Sequence, residues 1–247
     1  MCEECQPPTV TRRDALRVMS GATLGAFMLA SCPPAPTVDA VSVAPGLTIR
    51  RRSSWDQGQG PTGPLQPEDV RFLLVHHTAT NTEHRADEVA AILRSSYRYH
   101  TGPAKGWPDI CYNFLIDRYG TVWEGRTGSL GGPVMASATG GSQGFAQLVC
   151  LIGDFTRVLP TTAAQGSLAR TLAWLGQRYG VDTTPGATVQ FVSRGSNLWP
   201  QGSTVTAPTI AGHRTMSATT CPGDRFTPVV VNELPARVAS ERTAMYG

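Results

Sequence analysis

Lysine is nearly missing from this 247-residue chain: Lys105 stands alone among 21 basic residues, and 18 acidic residues leave a net charge of only +3. A nucleic-acid binder would show a basic stripe or a strongly basic domain, so that class is set aside. The arginine bias instead fits a GC-rich genome. Long apolar runs are also lacking. The most apolar stretch, Val18 to Ala30, is shorter than the ~20 residues that span a bilayer. Histidine occurs only at positions 76, 77, 84, 100 and 213, so the search for catalytic or metal-binding imidazoles is short. Of the six cysteines, Cys2 and Cys5 precede a presumed cleavage site and receive no role. Without Cys32, three remain, Cys111, Cys150 and Cys221. In an exported chain, where disulfides persist, an odd number leaves at least one to be a free thiol, a ligand or an intermolecular partner. Cys111 and Cys150 fall on candidate strands, so a bridge between them is weighed against two buried thiols, the preferred reading.

What is present begins with an export signal. Arg12 and Arg13 precede the apolar, Gly/Ala-rich run, which reads as a twin-arginine signal. Leu29-Ala30-Ser31-Cys32 resembles a lipoprotein cleavage box, which would make Cys32 a lipidated N-terminus and place the protein in the cell envelope. An ordinary core helix with a chance Arg pair is the alternative. The organisation expected is a signal over 1–31, a flexible tether over 32–48 and one domain over 49–247. Which membrane would hold the anchor, and the oligomeric state, are not legible.

Within the domain, Val70 to Val75 has the β-branched, apolar character of a buried strand and ends in His76-His77. Helical spacing follows over Glu83–Tyr99 and again over Ala163–Tyr179. Cys111 to Asp117 and Gly120 to Glu124 form a hairpin signal, and Leu148 to Ile152 suggests another strand. Residues Phe191 to Ala207 are expected as loop, and a last helix lies within Phe226 to Ala244. Strands interleaved with helices predict an α/β domain with a central mixed β-sheet.

His76, at the C-terminal end of its strand, would face a crevice, although a buried structural histidine fits there as well. His213 and Cys221 lie eight residues apart on a turn-rich segment. Imidazole and thiolate are both good zinc ligands, and three protein ligands with one open position make a catalytic site. His76 is the best supplier of the third. A buried free cysteine beside a surface histidine remains compatible with the spacing.

Seven motifs then occur in order: Arg52-Ser53-Ser54-Trp55, Leu74 to Thr80, Gly106 to Phe114, Asp117 to Gly120, Trp123 to Arg126, Ile152 to Phe155, and Gly212-His213-Arg214 through Cys221-Pro222-Gly223. Over residues 50–230 the chain resembles the family of peptidoglycan recognition proteins and type-2 N-acetylmuramoyl-L-alanine amidases. The resemblance implies a mixed sheet flanked by helices with one zinc ion in a surface groove. It further implies cleavage of the bond between the lactyl group of N-acetylmuramic acid and L-alanine of the stem peptide. By position, His76, His213 and Cys221 match the zinc ligands, and His77 is a neighbour. Tyr112 matches the catalytic tyrosine, and Thr219 a position that holds threonine or lysine in active members. His100 and Trp107 either line the groove or pack the helix-to-strand connection. Arg126 either meets a stem-peptide carboxylate or pairs internally. One segment departs: Ala138 and Gln143 stand where the family carries a histidine and an asparagine that contact muropeptide. A non-catalytic peptidoglycan receptor on the same fold is the alternative function; such members tend to lack the cysteine ligand. A cysteine hydrolase using Cys221 and His213 is a second alternative.

Overall fold

The computed structural model of the chain describes residues 39–140 and 144–247; the segment expected as an export signal, Cys32 and Gln143 lie outside them. Nine strands, β1 (Ala40–Ala44), β2 (Leu47–Arg50), β3 (Phe72–His77), β4 (Phe114–Ile116), β5 (Val122–Glu124), β6 (Ala146–Leu151), β7 (Thr188–Val192), β8 (Thr204–Pro208) and β9 (Ile210–Gly212), combine with helices α1 (Val89–Thr101), α2 (Thr162–Tyr179), α3 (Thr227–Asn232) and α4 (Leu234–Tyr246). Seven strands form a mixed sheet in the order β1-β2-β5-β4-β6-β3-β9. The mixed sheet flanked by helices is the architecture expected.

β3 lies between two parallel neighbours, with His76 opposite Cys150 of β6 and Val75 opposite Gly212 of β9. Its six residues are all buried, as a strand covered on both faces must be. Alternation along the strand sorts them. Phe72 and Leu74 join α1 residues Val89, Leu93 and Tyr97 in one core cluster. Leu73 and Val75 join Leu168, Leu172 and Leu175 of α2 and Val238 of α4 in the other. The sheet is thus the middle of three layers.

Local chemistry explains several boundaries. Thr161 accepts a hydrogen bond from the Ala164 N–H and caps α2, which ends at Gly180 in the left-handed conformation, φ 67°. The turn between β4 and β5 is held by Asp117, whose carboxylate accepts from the backbone N–H groups of Tyr119 and Thr121 and from the indole of Trp123. That is why the Asp-Arg-Tyr-Gly signature marks a hairpin.

Three expectations need correction. The tether does not extend to residue 48: β1 and β2 form an antiparallel hairpin at the sheet edge, and Asp39 already bonds Arg51. Phe191 to Ala207 is not all loop, because β7 and β8 pair antiparallel as a separate two-stranded sheet whose inner residues Phe191, Val205 and Ala207 pack into the α1-side core. Cys111 is not on a strand, although the preferred reading of it and Cys150 as two buried thiols holds.

Candidate metal centre

His76, next to last in β3, lies on the α1 face of the sheet with Phe72 and Leu74. His213 begins a 3-10 turn, His213–Thr215, directly after β9. Cys221 follows eight residues later, at a cis bond to Pro222. Because β9 pairs with β3, the folded-back segment brings all three side chains together. Their ligand atoms lie within 4.8 Å of one another, and each residue is fully buried. Cys221 Sγ is 3.7 Å from His76 Nδ1, and the two imidazole rings are 4.3 Å apart. Bonds of ~2.1 Å to nitrogen and ~2.3 Å to sulfur would set a tetrahedral N–S pair about 3.6 Å apart. Two imidazoles and a thiol at this spacing fit one zinc ion with a position left for substrate or water.

The surrounding bonds orient the donors. The His77 N–H points at Cys221 Sγ, 3.3 Å away. Arg214 fixes the peptide on each side of the cysteine: its N–H donates to the Cys221 carbonyl at 3.1 Å and its guanidinium to the Thr220 carbonyl. Gly223 sits at φ 106°, so close to Phe155 that a Cβ there would lie 2.3 Å from the Phe155 carbonyl carbon. Glycine is the residue such a turn requires.

His77 takes the opposite face. Its Nδ1 accepts from the Phe155 N–H at 3.3 Å and its ring stacks 6.2 Å from Phe155. The accepting Nδ1 places the neutral ring's proton on Nε2. The neighbour role expected for it follows from the strand's two-residue period.

Tyr112 is fully buried with its ring 5.4 Å from that of His76. His100 meets the other side of Tyr112 edge-on at 5.7 Å and stacks on Trp107 at 5.3 Å. His100 is itself fully buried, its Nδ1 accepting from the Cys111 N–H. It therefore packs within the aromatic row, between Tyr112 and Trp107. Arg126 is also buried: its guanidinium bonds the Ile110 carbonyl and Ser137 Oγ, at 3.2 and 2.9 Å, and burial lowers its pKa against the opposing charge of Asp109. Of its two readings, internal pairing is the one the structure displays. Trp107 is only half-buried and, with Ser137, Ala138, Ser196, Asn197 and Ser217, lines a depression of about 230 Å³. Thr219 is half-buried, its Oγ1 accepting from the Cys221 N–H at 3.2 Å.

Several motif residues turn out to be struts. Arg52 reaches across the fold to the fully buried carboxylate of Asp109 at 3.0 Å, and that carboxylate also takes the N–H groups of Ile110 and Thr127. Asn113 accepts from the Leu148 N–H on β6 and donates to Ser129 and to the Val134 carbonyl. Sequence reasoning missed Asn197 and Trp199 of the β7–β8 connection, which bond the segment between His213 and Cys221 at Ala218 and Thr215. No signal in the Gly/Ser-rich stretch marks them.

Residues 66–224 match the family model described as Amidase_2, N-acetylmuramoyl-L-alanine amidase. The human N-acetylmuramoyl-L-alanine amidase is 34% identical over 186 residues, covering 70% of this chain and 27% of the human protein. The Drosophila melanogaster peptidoglycan-recognition protein SC2 is 28% identical over 179 residues, covering 72% of this chain and 82% of the relative. The chain thus spans about a quarter of the human enzyme's length. Among solved structures, human PGRP-IβC in complex with glycosamyl muramyl pentapeptide superposes with a TM-score of 0.55 at 24% identity, over 75% of this chain and 95% of that one. Drosophila PGRP-SD superposes at 0.58 and 18%, over 74% and 93%. These two likenesses are of fold. Taken with the matched segment, which includes His76, His213 and Cys221, they show that the chain belongs to the N-acetylmuramoyl-L-alanine amidase (Amidase_2) family.

Proposed function

We propose that the chain is a zinc-dependent N-acetylmuramoyl-L-alanine amidase that hydrolyses the lactyl–L-alanine amide bond of peptidoglycan or muropeptides. The carrying observation is the buried triad of His76, His213 and Cys221, whose ligand atoms approach within 4.8 Å. Family members named as amidases and as recognition proteins both resemble the chain. The cysteine in the triad favours the enzyme, because a thiolate completes a three-ligand site with an open position.

His76 and His213 would hold the ion through ring nitrogens and Cys221 through its thiolate. Zinc bound there supplies a Lewis acid and lowers the pKa of water to about 7. The protein's own residues set where the amide sits. The phenol of Tyr112 and the hydroxyl of Thr219 are assigned to donate to the amide oxygen as negative charge grows on it. The row His76, Tyr112, His100, Trp107 keeps the phenol in place by packing, and the buried floor excludes bulk water, which strengthens each of these bonds. Trp107 offers an aromatic face to the substrate groove.

The decisive experiment measures release of stem peptide from muropeptides by the purified protein after chelation, after zinc is restored, and after thiol alkylation of the metal-loaded form. Loss with the chelator and recovery with zinc are expected. Activity that survives chelation and disappears on alkylation would assign the chemistry to a cysteine nucleophile; zinc binding without product release would assign a receptor.

The paired arginines at 12 and 13 and the Leu29-Ala30-Ser31-Cys32 box support export and lipid anchoring at Cys32. Detergent-phase partitioning of the expressed protein that is lost in Cys32→Ser is the expected result; soluble behaviour of the unaltered protein would refute it.

A further inference from the structure

We infer that Asn197 is a positioning residue for Thr219, acting through the backbone of Ala218; the inference rests on the amidase reading above. The side-chain amide of Asn197 makes two bonds with one residue of the metal-bearing segment. Its Nδ2 donates to the Ala218 carbonyl at 3.2 Å, and the Ala218 N–H donates to its Oδ1 at 2.8 Å. Fixing both polar groups of Ala218 orients the peptide unit that leads into Thr219. A second anchor lies alongside, where the indole of Trp199 donates to the Thr215 carbonyl at 2.8 Å.

The loop that carries these groups is built to hold them. The N–H groups of Leu198 and Trp199 donate to Ser196 Oγ at 3.2 and 2.9 Å, the Ser196 N–H donates to the Trp199 carbonyl at 2.8 Å, and Ser193 closes the base through Ser203. β7 and β8 root the loop in the core through Phe191 and Val205. The ligands have further anchors of their own besides the bond from the Cys221 N–H to Thr219. Cys221 is held by Arg214 and by the His77 N–H, and the His213 carbonyl accepts from the N–H groups of Met216 and Ser217. Removing the Asn197 amide therefore releases Thr219 while the metal stays bound.

The test compares zinc-loaded wild type, Asn197→Ala, Asn197→Asp, Thr219→Ala and the double variant Asn197→Ala/Thr219→Ala, reading kcat and KM on a muropeptide together with zinc affinity. Asn197→Ala should lower kcat about tenfold, the scale of one net hydrogen bond, with KM and zinc affinity each within about twofold of wild type. Asn197→Asp should fall at least as far, since its second oxygen faces the Ala218 carbonyl instead of donating to it. In the Thr219→Ala background, adding Asn197→Ala should change kcat by less than about twofold, because the two act as one unit. Unchanged kcat in Asn197→Ala, a full additional loss in the double variant, or loss of zinc affinity would each overturn the assignment and leave the amidase reading standing. Wild type that holds zinc and releases no product would overturn the amidase reading and this one with it.

Discussion

Glu68, four residues ahead of β3, provides a measurable check on the cost of a buried carboxyl. Its side chain is buried. Burial pushes its pKa from 4.5 up to about 8, against the opposing influence of the Asp69 backbone and the Arg194 charge. Below pH 4.5 the carboxyl is neutral in both folded and unfolded chains, so it contributes nothing. As pH rises from there the unfolded chain ionises while the native one stays protonated, and stability is lost. Above about 8 both forms are ionised and the loss stops growing. At ~1.4 kcal/mol per pH unit, this reaches at most about 3 kcal/mol at pH 7 and about 5 kcal/mol above pH 8, less where water reaches the carboxyl. Glu68→Gln removes the titration and keeps the shape. Urea unfolding of both proteins at pH 4.5, 7 and 9 should show the variant gaining on wild type with rising pH, with a constant offset that cancels in the difference. A stability difference flat with pH to within about 0.5 kcal/mol would refute the reasoning.

Other expected outcomes are simpler. Cys221→Ser should remove the thiolate-to-metal charge-transfer band of the cobalt-substituted protein and most of the activity, and an unchanged band would rule the sulfur out as a ligand. Arg52→Ala should destabilise the fold by about 3–5 kcal/mol in chemical unfolding, because it strands the buried Asp109 carboxylate; a loss under about 1 kcal/mol would contradict that. Gly223→Ala should cost more than about 2 kcal/mol and weaken zinc binding, since the added methyl collides with Phe155 backbone; calorimetry and zinc titration read both effects. Burial lowers the pKa of His84, whose ring bridges the Asn81 carbonyl and the Arg118 N–H. A histidine with a lowered folded pKa contributes stability above its unfolded value of 6.5 and loses it as pH falls. His84→Gln should therefore flatten the acid limb of the stability profile, and an unaltered limb would count against it.

The parts of the fold that were legible in sequence are those where one physical signal dominates. β3 stands out as an apolar run because neighbours cover both of its faces. α2 shows its helical period, and Asp117 to Gly120 announces a turn through an acceptor side chain and a glycine. β1 stayed hidden because Ala40–Ala44 shares the small, apolar composition of the linker before it, and only pairing with β2 makes it a strand. β7 and β8 stayed hidden because alternate residues face solvent and a turn-rich stretch separates them. At the site, ordered motifs around His76, His213 and Cys221 predicted a grouping that spacing alone left open. They did not separate packing from substrate contact: His100 turns out to pack between Tyr112 and Trp107, and Arg126 to bond the Ile110 carbonyl and Ser137. Asn197 acts through a loop fold that no local pattern encodes.

The edge hairpin also limits where the proposed amidase would work. The chain is already pinned at Asp39 by its bonds to Arg51. With a lipid on Cys32, as proposed, the seven residue steps to Asp39 can reach at most about 25 Å. Such a leash would confine the proposed hydrolysis to the wall layer or released fragments next to the membrane surface and deny it the outer thickness of the wall.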